Sequence, residues 1–207
     1  DGLVMEEGRG VNPYRFGLIG STDSHYAAGS YDETNYFGSS GGLADNTPQK
    51  GGSVPLDGNS DSSEPQYKDI QPRSASGLTG VWAESNTRDS IYAALRRKET
   101  FGTSGPRIHV RFFAGYGWDE GLVNAPDAIP LAYASGVSMG GDLAPRNEEV
   151  PTFLVMAARD VDSNPLQRLQ VVKGWVEKGE ARERVYDIAC SDGLVVDPKT
   201  QRCPDNG

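Results

Sequence analysis

The sequence predicts an α+β protein with one well-marked helix followed by antiparallel strands. Residues 86–98 repeat apolar side chains at helical spacing, whereas apolar and charged residues alternate after Pro106. The chain also contains 26 glycines and 13 prolines among 207 residues, a proportion that favours loops and short strands over a helix bundle. The apolar content is close to that of average globular proteins, so a packed core is attainable.

The charge balance and the apolar runs exclude two classes of partner. The formal net charge is -9 and the isoelectric point is about 4.7, which argues against binding to the phosphate backbone of nucleic acids. The longest uninterrupted apolar run is residues 153–158, which is far too short to span a bilayer. We therefore expect no nucleic-acid partner and no membrane span.

The first element is predicted at residues 16–19, a short apolar run that ends at Gly20. This pattern is typical of a buried strand that leads into a functional loop. Residues 38–66 differ in composition, because Gly, Ser, Pro, Asn and Asp dominate there. Such a segment cannot offset its ordering entropy by burial, so we expect a long Gly/Ser-rich loop laid over the body of the protein.

The helix is predicted over residues 86–98. Asn86 or Thr87 can act as the N-cap, and Asp89 favours the positive end of the helix dipole. Basic residues crowd the last turn and a glycine follows shortly after it, as expected at a helix end. The side chains that share one face are Ile91, Ala94, Leu95 and the aliphatic stem of Lys98.

The first strand after this helix is predicted in the segment RIHVRFF. Ile108, Val110 and Phe112 point to one side, and the basic residues between them point to the other. Alternation of this kind is typical of a half-buried strand.

Further strands are predicted at residues 152–158, 168–176 and 182–189, the last two joined by a hairpin turn at 177–180. Strands at this spacing without intervening helices are typical of an antiparallel sandwich-like module. We therefore place a domain boundary near Pro106, which separates residues 1–106 from a β-rich C-terminal module over residues 107–207.

The two cysteines allow two interpretations. Cys190 and Cys203 enclose twelve residues that contain two turn signals, so the chain can fold back and form a disulfide. Such a bridge stabilises a protein by roughly 3 kcal/mol and indicates an oxidising compartment. The alternative is two unrelated thiols in a reducing compartment. We favour the bridge because both residues lie in a polar, turn-rich tail where a buried thiol is less expected.

A candidate metal-binding pair follows the first predicted strand. Asp23 and His25 are two residues apart, and in an extended segment positions i and i+2 face the same side. A carboxylate and an imidazole are both ligands for zinc, manganese or iron. The spacing alone has little specificity, and a capped turn remains an alternative.

Longer motifs carry a resemblance to a known family. The chain resembles the PHP-type (polymerase and histidinol phosphatase) metallohydrolases in four stretches. They are the run GLIGSTDSH, the segment ASGLTGVWAESNTRDSIYAALRRKETFGTSGPRI and the later stretches MGGDL and RCPDNG. Within them the chain is similar to a secreted branch of unknown function, akin to the carbaryl-hydrolase-like proteins. The resemblance covers most of the chain. It implies a distorted α/β barrel, followed in this chain by the sandwich-like module, and secretion or a periplasmic location.

The resemblance also implies a chemistry. PHP-type enzymes hold two or three divalent metal ions at the C-terminal ends of the barrel strands, and the last ligand pair has the pattern S-D-x-H, which falls here on Asp23 and His25. A metal-activated water would hydrolyse a phosphoester or a related ester. The expected substrate is a small anionic molecule or ester.

The ligand count departs from this family. The chain has two histidines, His25 and His109, and lacks the His-x-His pair expected before this segment, whereas a catalytic zinc site takes three protein ligands. Since the chain also begins with Asp1 rather than Met, we expect it to be the C-terminal part of a larger enzyme, with the N-terminal part of the same protein as its partner. Alone, it should bind metal weakly and be inactive.

Arg107 is a further candidate site residue. It follows Gly105-Pro106 directly, and an arginine in such a loop can clamp an anionic substrate through two hydrogen bonds. The alternative is an arginine that begins a strand on its solvent face. Gly140-Gly141-Asp142 is best interpreted as a tight turn. A rival function for the whole chain is a non-catalytic extracellular β-rich module that binds a partner or packs in an assembly.

Overall fold

The computed structural model describes residues 1–21 and 77–204, which contain helices, strands and three small antiparallel sheets. The α+β class is therefore confirmed. The chain divides into two compact units: the first consists of Asp1–Phe16 with Val161–Gly207, and the second of Gly17–Asp160. The predicted loop at 38–66 lies outside the described residues. The barrel and the sandwich stay predictions, and elements are numbered below in chain order among the described residues.

The second unit begins with a two-stranded sheet and a helix. β1 (Thr79–Val81) pairs antiparallel with β2 (Thr100–Gly102), and α2 (Arg88–Arg96) connects them. The predicted helix is confirmed, with Thr87 as the N-cap whose hydroxyl accepts a hydrogen bond from the Ser90 amide at 3.3 Å. Lys98 lies beyond the helix end at a φ of 61°.

A three-stranded sheet forms the centre of this unit. β3 (His109–Tyr116) lies between β4 (Gly136–Ser138) and β5 (Pro151–Ala158), both antiparallel to it. A 3₁₀-helix (Glu120–Asn124) and α3 (Ala128–Ser135) follow β3. Burial of apolar surface between α3 and the sheet is the main stabilising contribution here. The buried core residues are Phe113, Ala128, Ala132 and Leu154, with Trp118, Leu122, Ile129 and Met156 packed against them.

One face of β3 carries both a core residue and charged residues. Phe113 is 1% exposed and belongs to the core, and strand alternation places it on the same face as His109 and Arg111. Helix α3 covers the face that carries Phe113, and the charged residues of that face lie toward the other end of the strand. This arrangement creates the polar cleft described below.

Pro106 lies inside the second unit. Residues on both sides of it contact each other: the Trp82 indole N–H donates to the Val110 carbonyl at 2.8 Å, and the rings of Phe101 and His109 are 6.4 Å apart. By compactness, the chain divides after Phe16 and after Asp160, and the domain boundary near Pro106 stays a prediction.

The apolar run at residues 16–19 does not form the predicted buried strand. No strand is assigned there, and Leu18 and Ile19 are 72% and 68% exposed. The segment is held through its backbone, because the Thr100 hydroxyl donates to the Leu18 carbonyl at 2.8 Å and the Thr79 hydroxyl donates to the Gly20 carbonyl at 2.7 Å. A short apolar run predicts neither strand nor burial by itself, and here backbone contacts determine its place.

The first unit is built on a β-hairpin. β6 (Arg168–Glu177) pairs antiparallel with β7 (Glu180–Cys190), which confirms the predicted hairpin and its turn. Lys178 and Gly179 have φ angles of 55° and 80°, the left-handed conformation that a two-residue hairpin turn requires. Helix α1 (Gly2–Arg9) lies against both strands.

The C-terminal segment is joined to this hairpin by a covalent bond and a buried carboxylate. The predicted disulfide between Cys190 and Cys203 is confirmed. The side chain of Asp187 is fully buried and accepts hydrogen bonds from the Cys203 amide and the Gln170 side chain, both at 2.6 Å. Arg168 and Arg202 approach the same carboxylate at 3.5 and 3.4 Å. The pKa of Asp187 lies below its ordinary value. The largest cause is the hydrogen bond from the Cys203 amide, followed by that from Gln170 and by the charges of the two arginines.

No helix among the described residues is long and apolar enough to cross a membrane.

Candidate functional site

The second unit contains a cleft of about 840 Å³. Its walls come from the segments after β1 and α2, from β3, from α3 and from β4 with the turn that follows it. The lining side chains that carry a charge or an aromatic ring are Trp82, Glu84, Arg97, Glu99, Arg111 and Tyr133. Apolar side chains, among them Ile129 and Val137, complete the wall, so the cleft combines an apolar surface with a few charged groups, as ligand sites commonly do.

The local fold positions each charged group. Glu99 lies between α2 and β2, where its amide donates to the Ala94 carbonyl at 3.0 Å and its carbonyl accepts from the Trp82 amide at 3.1 Å. Arg111 projects from the face of β3 that also carries Phe113, and Tyr133 on α3 meets Phe113 edge-on at 4.9 Å. Packing of α3 on the sheet thus brings Tyr133 to the arginine.

Glu99 is a buried carboxylate, only 2% exposed, and both its oxygens have partners. The Tyr133 hydroxyl donates to Oε1, and Arg97 donates to Oε2 at 3.2 Å. Such pairing is what a buried charge requires. Burial, and then the hydrogen bond to Glu99, raise the pKa of Tyr133 above 10.0. The phenol therefore stays protonated and donates to Glu99.

Two aromatic side chains orient Arg111 in the cleft. Its guanidinium lies 3.6 Å from the centroid of the Trp82 ring and donates to the Tyr133 hydroxyl at 3.3 Å. Trp82 is itself held through its indole N–H, which donates to the Val110 carbonyl. Among residues 1–21 and 77–204, no carboxylate lies within ion-pair distance of Arg111. A guanidinium carries five N–H donors in a fixed plane, so this one retains donors for a ligand.

The turn after β4 closes one side of the cleft. The Gly141 amide donates to the Ser138 carbonyl at 3.1 Å, which agrees with the predicted tight turn. Gly140 has a φ of 81°, and a Cβ at this position would lie 2.3 Å from the Lys98 carbonyl oxygen. A side chain at Gly140 would therefore be strained and would displace the segment that carries Arg97 and Glu99.

The sequence predicts three site residues, of which only Arg107 falls among the described residues. Asp23 and His25 fall outside the described residues. Arg107 is exposed and does not line the cleft; its amide donates to the Asp160 carboxylate at 2.8 Å, and its anion-clamping role stays a prediction. In the described ranges, no three His, Cys, Asp or Glu side chains come together in a way that could hold a metal ion.

The cleft residues were not predicted from the sequence, because their chemistry depends on long-range contacts. The strand pattern predicts only that Arg111 points away from Ile108, Val110 and Phe112. One sequence signal was present: Arg111 is followed by two phenylalanines, so one of them must share a face with the charged residues of the strand. Nothing local indicates that Glu99 and Tyr133 meet.

Comparison with known proteins gives one match. The model of a family described as "Protein of unknown function (DUF3604)" matches residues 1–207. No curated protein and no solved structure matches the chain.

Proposed function

We propose that this chain, which belongs to the DUF3604 family of proteins of unknown function, is part of a secreted metal-dependent hydrolase that acts on an ester carrying an anionic group. The observation that carries this proposal is the orientation of Arg111 in the cleft, between the Trp82 ring and the Tyr133 hydroxyl. A fixed guanidinium next to an apolar wall fits a ligand with an anionic group on an apolar body.

Each cleft residue has a role in this proposal. Arg111 binds the anionic group of the substrate through its remaining donors, and Ile129 and Val137 contact the apolar part. Tyr133 and Glu99 act as positioning residues, since Glu99 accepts from the phenol and the phenol accepts from Arg111. Positioning of this kind lowers the entropy lost when the ligand binds.

The metal chemistry in this proposal rests on the resemblance to the PHP-type hydrolases. Asp23 and His25 would supply two ligands to zinc, manganese or iron, and the remaining ligands would come from an N-terminal part of the same protein. Such a metal, when bound, supplies a water of lowered pKa. The Cys190–Cys203 disulfide supports a secreted or periplasmic location, because disulfides persist in oxidising compartments.

The test compares four variants of the natural protein that contains this chain. Metal content is measured by mass spectrometry, and hydrolysis is measured with nitrophenyl phosphate, bis-nitrophenyl phosphate and nitrophenyl acetate. Asp23→Asn and His25→Gln should lose metal and turnover. Arg111→Gln should keep the metal and raise KM for the anionic esters by about tenfold or more, the value of a hydrogen bond to a charged group.

Arg146→Gln is the matched control. Arg146 also lies over an aromatic ring, Tyr116 at 4.8 Å, but it pairs with Glu149 and does not line the cleft. This variant should keep the metal content and KM of the natural protein. If the natural protein hydrolyses none of the esters and Asp23→Asn keeps its ligand binding, the hydrolase proposal fails and the non-catalytic binding module replaces it.

A further inference from the structure

One face of the β6–β7 hairpin in the first unit carries an unusual pair of charges. The register places Val171 opposite Tyr186, Lys173 opposite Arg184, and Trp175 opposite Arg182. Strand alternation puts these three cross-strand pairs on the same face. Lys173 and Arg184 are exposed and form the middle pair. Like charges directly opposite each other destabilise a β-hairpin. A contribution to stability therefore does not account for this pair, and we infer that it serves binding.

In the part of the chain that the structure describes, the two cations differ from the neighbouring arginine in their ion pairing. Among the described residues, neither Lys173 nor Arg184 has a carboxylate within ion-pair distance. The neighbouring Arg182, by contrast, pairs with Glu180 at 2.9 Å and with Glu177 at 3.4 Å. This face of the hairpin thus pairs one of its three cations with carboxylates and leaves the two that face each other available to an external anion.

Aromatic rings flank this cationic pair at both ends. The Lys173 ammonium lies 5.3 Å from the centroid of the Trp175 ring, and the Arg184 guanidinium lies 4.9 Å from that of Tyr186. Because the strands run in opposite directions, the two rings lie on opposite sides of the pair. Same-face rows are about 6.7 Å apart, so the strip of ring, cations and ring extends over about 13 Å.

We propose that this cation–aromatic strip binds an acidic saccharide, with Lys173 and Arg184 on a carboxylate or sulfate group and with Trp175 and Tyr186 beside the adjacent sugar rings. The charge pattern favours this ligand over a continuous polyanion. The net charge of -9 and the carboxylates of Glu177 and Glu180 at the hairpin tip repel nucleic acids, anionic membranes and runs of acidic residues. An anionic group isolated between uncharged sugar rings meets the two cations and avoids those carboxylates. This inference does not depend on the proposed hydrolase function.

The test is titration calorimetry on the full chain with a hyaluronan tetrasaccharide, whose carboxylates alternate with uncharged sugars, a singly sulfated oligosaccharide, a neutral maltooligosaccharide and polyglutamate as probes. The carboxylated and sulfated probes distinguish the two sources of the anionic group, and at least one of them should bind while the neutral one does not. Lys173→Gln and Arg184→Gln should each weaken that binding by about tenfold. Neither should lower the melting temperature, because each removes a like-charge contact.

Lys178→Asn is the matched control. It removes the same charge from the same hairpin, and asparagine tolerates the positive φ of 55° at that position. Its affinity should equal that of the unmodified chain. The proposal is overturned if neither acidic saccharide binds, if Lys178→Asn loses as much affinity as Lys173→Gln, or if polyglutamate binds more tightly than both saccharides, which would assign the strip to an acidic peptide.

Discussion

Replacing Cys190 and Cys203 by alanine removes the covalent link between β7 and the C-terminal segment, and we expect the first unit alone to lose stability. For a sequence separation of 13 residues, the loop-entropy relation gives a loss of about 3 kcal/mol at room temperature. The docking of Cys203 against Asp187, whose carboxylate accepts from the Cys203 amide at 2.6 Å, depends on the same link. The double variant should therefore expose this amide and the end of β7 first.

Hydrogen exchange measured by mass spectrometry localises this effect. A loss of about 3 kcal/mol corresponds to roughly 100-fold faster exchange for amides that exchange through unfolding of the unit. Peptides from β6, β7 and the C-terminal segment should show this increase, whereas peptides from β3 and α3 serve as the internal control. A rate change below about fivefold in the hairpin, or an equal change in both units, would refute the reasoning.

Three further predictions concern single residues. The pKa of Asp187 is lower in the folded protein than its ordinary value of 3.8. Its carboxylate therefore stabilises the first unit above pH 3.8, and this contribution is lost as the pH falls through the lower pKa of the folded state. Acid unfolding of Asp187→Asn, followed by circular dichroism, should lack this pH dependence. Phe113→Ala should destabilise the second unit by about 3–5 kcal/mol in urea titration, since Phe113 is 1% exposed, and a loss under about 1 kcal/mol would contradict its place in the core. Tyr133→Phe should remove the tyrosine that ionises above 10.0 in a spectrophotometric titration, and an unchanged late-ionising class would show that the assignment is wrong.

The secondary structure of the described residues could be predicted well where local patterns decide it. Helix α2 follows from a cap at Thr87 and helical spacing, and the β6–β7 hairpin follows from two alternating runs around a turn. The Cys190–Cys203 bridge follows from their short separation and the turns between them. In each of these cases the determining contacts are formed by residues that are close in sequence.

The cleft could not be predicted, because it depends on which face of β3 the helix α3 covers. Alternation gives two faces but does not say which is buried, and here the face with Phe113 also carries Arg111. Glu99 and Tyr133 are 34 positions apart, and their contact exists only after the helix packs on the sheet. The buried strand predicted at residues 16–19 is absent because the segment is held by backbone hydrogen bonds to residues far away in the sequence, and not by burial of its side chains.

The central claim is that Arg111 receives the anionic group of a ligand in the cleft, and titration of the chain with phenyl phosphate, with phenol as the neutral comparison, tests it most directly. We predict that the chain binds phenyl phosphate and that Arg111→Gln weakens this binding by about tenfold or more. Arg111→Lys should restore the affinity only in part, because the planar stack on Trp82 is lost. Arg146→Gln should leave the affinity unchanged. Equal affinity of Arg111→Gln and the unmodified chain, with near-ultraviolet circular dichroism showing both folded, would contradict the claim.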